Sequence, residues 1–172
     1  MSLNTTPSAE RTHIGIFGRR NAGKSSLINA LTGQSLAIVS DVRGTTTDPV
    51  LKAMELLPLG PVVMIDTPGI DDEGNLGSMR VQKAFQILNK TDLALLVIDS
   101  LSGPSHEDAV TLAHIQKKEI PFLVVLNKSD QIKDLDHAVQ KAADFLQISK
   151  EKLMTASASS GYHIQELKEA IA

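Results

Sequence analysis

"GRRNAGKSS", residues Gly18 to Ser26, lies between a short apolar run, "HIGIFG", and a helical pattern, "KSSLINALTG". Its first eight residues fit G-x-x-x-x-G-K-[ST], a loop that joins a strand to a helix and wraps phosphate. From residue frequencies, a chance match in a chain of this length is about a 1% event. The chemistry explains the spacing. Gly18 and Gly23 let the backbone curl so that N–H groups from Ala22 to Ser26 converge on phosphate oxygens, and the following helix adds the positive end of its dipole. Lys24 is placed to neutralise β- and γ-phosphates, and the Ser25 hydroxyl to bind Mg²⁺. Asn21 does not fit this picture, because a loop that works through backbone groups has no evident use for a carboxamide.

Outward from this loop, short apolar runs alternate with amphipathic ones. "VLKAMELLP", "PVVMID", "LALLVID", "PFLVVL" and "KLMTAS" read as further strands. Leu27, Ile28 and Leu31 share one face of the first helix, which stops at Gly33. "MRVQKAFQILNK" sets Val81, Ala84, Phe85 and Leu88 at helical spacing, and "SHEDAVTLAHIQKK" begins with Ser105 as N-cap and Asp108 three residues on. "LDHAVQKAADFLQ" and "HIQELKEAIA" complete the set, the last with Ile164, Leu167 and Ile171 inward. Strands that are apolar throughout belong in a sheet covered on both faces. The expectation is an α/β fold: a mainly parallel six-stranded sheet, one antiparallel edge strand from the hairpin after the first helix, and helices on both faces. Residues 1–12 read as a flexible tail and 13–172 as one domain. With no stop signal after the last helix, that domain is expected to be the amino-terminal part of a longer protein.

In such sheets ligands sit beyond the carboxyl ends of the strands, and the polar motifs fall there. Asp66 ends "VVMID", where a carboxylate can hold Mg²⁺ through water, and Asp66-Thr-Pro-Gly69 fits a loop whose glycine N–H senses the γ-phosphate. Asn127-Lys128-Ser129-Asp130 follows "PFLVVL" and answers which base is bound. An ionised Asp only accepts hydrogen bonds. Guanine offers N1–H and a 2-amino group side by side, matching the two oxygens of Asp130. Adenine offers a lone pair there and no amine. Ser157-Ala158-Ser159 follows the last strand. Ser157-Ala158 is expected to brace Asp130 and to give a backbone N–H to guanine O6.

Composition narrows the choice. Hydrophobic content of 42% and a net charge of −3 describe an ordinary globular domain without the basic surface of a general nucleic-acid or anionic-membrane binder. No apolar run is long enough to cross a bilayer and no signal-peptide core is present, so the expected home is the cytoplasm. With no cysteine, disulfides and thiolate metal sites are excluded in this chain. Five scattered histidines have no ligand spacing and read as solvated or partly buried helix positions.

Gly18–Ser25, Thr46, Asp66–Gly69, Asn127–Asp130 and Ser157–Ser159 resemble, in order, the five motifs of the translation-factor-like (TRAFAC) GTPases. The resemblance implies a Ras-like P-loop G domain that binds GTP and GDP and hydrolyses GTP, with Thr46 as the switch I ligand of Mg²⁺. "GRRNAGKSSLINAL", "AIVSDVRGTTTDP" and "DTPGID" further resemble the TrmE–Era–EngA branch. There the loop asparagine ligates K⁺, which implies Asn21 as a potassium ligand, joined by the Ser40 and Val42 carbonyls and the Thr45 hydroxyl. By the same resemblance Lys24, Asn21, Thr46 and Gly69 carry catalysis. Ras-like enzymes place a water-orienting Gln where this chain has Ile70, and TrmE uses a downstream glutamate where this chain has Gly77 and Ser78, with Glu73 out of register. The water-positioning residue is therefore not assigned.

"GTTTDPV" and "MELLPLGPVV" are most similar to the GTPase domains of the FeFe-hydrogenase maturation factors of the HydF family. That implies a switch in metallocofactor assembly, with the other maturation proteins and the apo-hydrogenase as partners. It also implies a dimerising, iron–sulfur-binding part beyond this chain, which would make the full-length protein a homodimer. The alternative is a ribosome- or tRNA-linked GTPase of the same branch, and a third reading is a binding module that barely turns over. The mild negative charge weighs against nucleic acid as a partner.

Overall fold

The computed structural model describes residues 12–18, 22–32, 50–56, 60–66, 86–161 and 163–171. Six strands run β1 (Thr12–Gly18), β2 (Val50–Leu56), β3 (Gly60–Asp66), β4 (Leu93–Asp99), β5 (Phe122–Asn127) and β6 (Leu153–Thr155). They form one sheet in the order β2-β3-β1-β4-β5-β6. β2 is antiparallel to β3, and every other pair is parallel. Only residues 57–59 separate β2 from β3, too few for the crossover that parallel pairing needs. The helices are α1 (Lys24–Thr32), α2 (His106–Lys117), α3 (Leu135–Leu146) and α4 (Ile164–Ile171). Thr12, assigned to the tail from sequence, opens β1 opposite Val62, because the ladder with β3 reaches one residue past the apolar run. Residues 1–11 and Gly33 lie outside the described residues.

Two cores form, one on each face. Ile14 and Ile16 of β1, Leu95 and Val97 of β4 and Val125 of β5 pack on Leu27, Ile28 and Leu31 of α1 and on Ile164, Leu167 and Ile171 of α4. The alternate residues Phe17, Ala94, Leu96, Ile98, Val124 and Leu126 meet Leu112 and Ile115 of α2 and Ala142, Ala143 and Leu146 of α3. Burial on both faces is why these strands read as unbroken apolar runs. Each fully buried Leu or Ile contributes roughly 1.5–3 kcal/mol, so the strand ends that carry the polar motifs rest on a rigid base. The core is continued by Ile87 and Leu88 where residues 86–87 are helical and Leu88–Lys90 form a 3₁₀ turn. Val81, Ala84 and Phe85 of the expected helix lie outside the described residues.

Helix ends follow their sequence signals. Ser105 Oγ accepts from the Asp108 N–H (3.4 Å) and the Asp108 carboxylate accepts from the Ser105 N–H (2.9 Å), a reciprocal capping box on α2. Asp134 accepts from the His137 N–H (3.1 Å) at the start of α3. Two histidines are not helix positions: His13 lies on β1, and His163 takes φ +58° at the step into α4, its Nδ1 within 3.0 Å of the Thr155 carbonyl. Among the described residues no helix is long and apolar enough to cross a membrane.

Candidate nucleotide-binding site

The strands β1, β4, β5 and β6 are consecutive in the sheet, so their carboxyl ends form a continuous ledge. Register fixes the neighbours along it: Gly18 opposite Val97, Asp99 opposite Asn127, and Leu126 opposite Thr155. The phosphate loop leaves the ledge at β1, the Asn-Lys-Ser-Asp loop at β5, and the Ser-Ala-Ser loop at β6.

On the phosphate side, both glycines of the motif are structural necessities. Gly18 has φ +147°, and a Cβ there would collide with the Val97 carbonyl of β4. Gly23 has φ +89°, and a Cβ there would collide with the carboxamide of Asn127. Helix α1 begins immediately after it. The first helical hydrogen bond runs from the Leu27 N–H to the Gly23 carbonyl (2.9 Å). The N–H groups of Lys24, Ser25 and Ser26 lie ahead of that ladder, at the positive end of the helix dipole. The Lys24 side chain is buried and donates from Nζ to the Gly18 carbonyl (2.7 Å). It therefore folds back over the loop it belongs to, which fixes a positive charge where the loop curls.

On the base side, Asn127 joins three segments. Its Nδ2 donates to the Ala22 carbonyl of the phosphate loop (3.0 Å), and its Oδ1 accepts from the Ala158 N–H (3.1 Å). Asn127 is 2% exposed; both halves of its amide are thus used in a site where an unpaired one costs about 1–3 kcal/mol. Ser129 is equally buried and fastens the loop to the residue that follows β6: its N–H donates to the Ala156 carbonyl (3.1 Å), its Oγ accepts from the Ala156 N–H (3.1 Å) and donates to the Leu126 carbonyl (2.7 Å). With Ser129 fixed, Asp130 stands exposed in the Ser129–Gln131 3₁₀ turn.

The Ser-Ala-Ser loop differs from expectation in one contact. The Ser157 hydroxyl does not brace Asp130. It is fully buried, lies 3.2 Å from Ser159 Oγ and accepts from the Ser160 N–H (3.2 Å). A short side chain at the start of the tight turn closed by Gly161 N–H to the Ser157 carbonyl (2.9 Å) bonds within that turn. The Ala158 N–H donates to Asn127 Oδ1.

A residue that sequence reading passed over sits between the two loops. Asp99 ends β4, pairs with Lys128 (Oδ2 to Nζ 3.0 Å) and accepts the Leu101 N–H on Oδ1 (2.9 Å). Lys128 takes the left-handed conformation, φ +63° and ψ +30°, which costs a non-glycine residue about 1–3 kcal/mol. The only sequence signal was a carboxylate closing an apolar strand, the same signal that marked Asp66.

For Mg²⁺, the donor chemistry fits. Ser25 is exposed in the first turn of α1, and Asp66 closes β3 as register partner of Ile16, two residues before Gly18. Hydroxyl and carboxylate oxygens suit this hard cation, which commonly takes one or two protein oxygens and completes its shell with phosphates and water. Among the described residues no cluster of three or more His, Asp or Glu is placed to hold a metal by itself. Asn21, Ser40, Val42, Thr45, Thr46, Gly69, Ile70, Glu73, Gly77 and Ser78 lie outside the described residues.

A phosphate loop and a carboxylate-bearing base loop, tied together by one buried asparagine on a Ras-like sheet, define a P-loop GTPase G domain. The chain belongs to the 50S ribosome-binding GTPase family, whose sequence profile matches residues 13–128. It is 39% identical to GTPase Der of Wolinella succinogenes over 98% of this chain and 36% of that protein. It is 33% identical to the tRNA modification GTPase MnmE of Desulfotalea psychrophila over 91% of this chain and 33% of that protein. A crystal structure of Era in complex with MgGDPNP and nucleotides 1506–1542 of 16S ribosomal RNA superimposes with a TM-score of 0.78 at 28% identity, over 93% of this chain and 55% of that one. The chain is a GTP-binding GTPase of the TrmE/Era/Der branch, and it spans about a third of the length of these curated relatives. The narrower resemblance to hydrogenase maturation factors has no counterpart among these names.

Proposed function

We propose that the chain is the Mg²⁺-dependent, K⁺-stimulated GTP-hydrolysing switch of a longer protein that acts on ribosomal or transfer RNA in the cytoplasm. The observation that carries the nucleotide part is the Asn127 bridge from Ala22 to Ala158. One side chain sets the phosphate loop and the base loop at a fixed spacing, so a single guanine nucleotide can engage both. Lys24 would bind the β- and γ-phosphates, Asp130 the guanine edge, and Ser159 the border of the base pocket. When bound, Mg²⁺ with Ser25, Thr46 and Asp66 would supply charge neutralisation at the phosphates. Gly69 would report the γ-phosphate through its N–H. The RNA part is supported by the relatives: Era was crystallised with 16S ribosomal RNA, and MnmE is a tRNA modification GTPase. Because the chain has a net charge of −3, RNA contact would come from the remainder of the protein.

The second reading is a GTPase that serves FeFe-hydrogenase maturation, with an iron–sulfur cluster and a dimer interface outside this chain. It is favoured by "GTTTDPV" and "MELLPLGPVV", and its partners would be the other maturation proteins and the apo-hydrogenase. Sedimentation of the full-length protein with ribosomal subunits separates the two. The RNA reading expects co-sedimentation that depends on GDPNP and weakens with salt. Full-length protein that stays in the supernatant in GDP and GDPNP alike, yet takes up iron and sulfide under anaerobic reconstitution, sinks that reading and leaves the second.

A further inference from the structure

β6 ends at Thr155 and α4 begins at Ile164, and the Ser-Ala-Ser loop lies in the gap between them. One side chain bridges that gap. The imidazole of His163, the residue before the helix, reaches back to Thr155. We infer that His163 is a positioning residue for the guanine nucleotide: it is a clasp that closes the foot of the Ser-Ala-Ser loop, holds the Ala158 N–H against Asn127 and so slows nucleotide release. The inference rests on the guanine-nucleotide reading of the site.

The backbone gives the first observation. His163 has φ +58°, a left-handed conformation that a β-carbon disfavours and glycine takes freely. A residue with a side chain persists there where its surroundings hold it. The imidazole gives the second. Its Nδ1 lies 3.0 Å from the Thr155 carbonyl and 3.2 Å from the Thr155 hydroxyl. A carbonyl oxygen only accepts, so Nδ1 carries the proton and donates. The third is that both ends of the clasp are rigid. The His163 carbonyl accepts from the Leu167 N–H (2.9 Å) at the start of α4, and Leu167 is fully buried in the core shared with α1. Thr155 is held in the sheet opposite Leu126 of β5. Between these ends the Gly161 N–H donates to the Ser157 carbonyl (2.9 Å) and the Ala158 N–H to Asn127 Oδ1 (3.1 Å). Opening the clasp would let the loop draw away from Asn127, whose other amide group holds the phosphate loop at Ala22.

The test is the release of GDP carrying a fluorophore on its ribose, with Mg²⁺ and an excess of unlabelled GDP, from the parent, His163→Gly and His163→Asn. Glycine takes φ +58° without strain and lacks the donor, so it removes the clasp and spares the backbone. Asparagine also tolerates this conformation and carries an Nδ2–H where the imidazole carries its Nδ1–H. His163→Gly is expected to release GDP roughly tenfold faster, the worth of about one hydrogen bond. Its unfolding temperature without nucleotide should be no lower than the parent's, because the lost bond is offset by relief of the backbone. His163→Asn is expected to restore release to within about twofold of the parent. A His163→Gly chain that releases GDP at the parent's rate overturns the inference. So does one that unfolds at a lower temperature than the parent or fails to fold, since His163 then serves stability alone. His163→Asn that releases GDP as fast as His163→Gly overturns it too. A parent chain that binds no GDP instead overturns the guanine reading itself.

Discussion

Asp130→Asn is expected to exchange guanine for xanthine. The turn that carries Asp130 is fastened by three hydrogen bonds of Ser129, one to Leu126 of β5 and two to Ala156 just after β6, so the substitution changes chemistry and leaves the position intact. The carboxylate offers two acceptors to the N1–H and 2-amino group of guanine. The carboxamide offers one acceptor and one donor, which opposes the 2-amino group and suits the carbonyl that xanthine carries there. Sites that pair with specific donors reject analogues lacking them by roughly 10⁴–10⁵. Inverting one of two contacts should cost GDP on the order of 10³ in affinity and favour xanthosine diphosphate correspondingly. Calorimetric titration of both nucleotides reads the exchange, and a variant that still binds GDP like the parent would remove Asp130 from the base site.

Potassium should accelerate GTP hydrolysis by about 10²-fold over sodium at equal ionic strength, comparable to one well-placed electrostatic contact in a transition state. Charge develops between the β- and γ-phosphates during transfer, and a cation there does what an arginine finger does elsewhere. A bare K⁺ needs a ring of oxygens in place of its water, and Na⁺ is too small to touch all of them. Asn21 would give one oxygen, with Ser40, Val42 and Thr45 adding others. Asn21→Ala should abolish the preference for K⁺ while GDP binding is nearly retained, since Lys24 is held to the loop through Gly18 independently of residue 21. Single-turnover rates in the two salts settle the point. Turnover of the parent that is indifferent to K⁺ refutes the assignment whatever the variant does.

Much of this fold is legible because its signals are local. The phosphate loop is a run of eight residues, the strands are apolar throughout, and the Ser105–Asp108 cap spans one turn. What escaped depends on register. Asp99 and Lys128 are 29 residues apart, and nothing in either neighbourhood says that the ends of β4 and β5 align. Thr12 was set in the tail because a polar residue before an apolar run carries no strand signal, whereas its place is fixed by Val62 across the sheet. Asn127 was recognisable as part of a motif, yet its task, bonding Ala22 and Ala158 at once, follows only from three loops meeting. Ser157 was misassigned for the opposite reason: a contact across the site was expected where the hydroxyl bonds within its own turn.

Single-turnover hydrolysis of GTP and of ATP by this chain, in Mg²⁺ and K⁺, tests the account most directly. With K⁺ in the place of an arginine finger and Ile70 where Ras-like enzymes carry a glutamine, GTP should be consumed at about 10⁻² per second in K⁺, the rate of a GTPase that carries its own arginine, against about 10⁻⁴ in Na⁺, and ATP at the rate of the buffer alone. Equal consumption of both nucleotides would contradict guanine selection by Asp130. Consumption of neither, by a chain that binds GTP, would contradict its role as a hydrolytic switch.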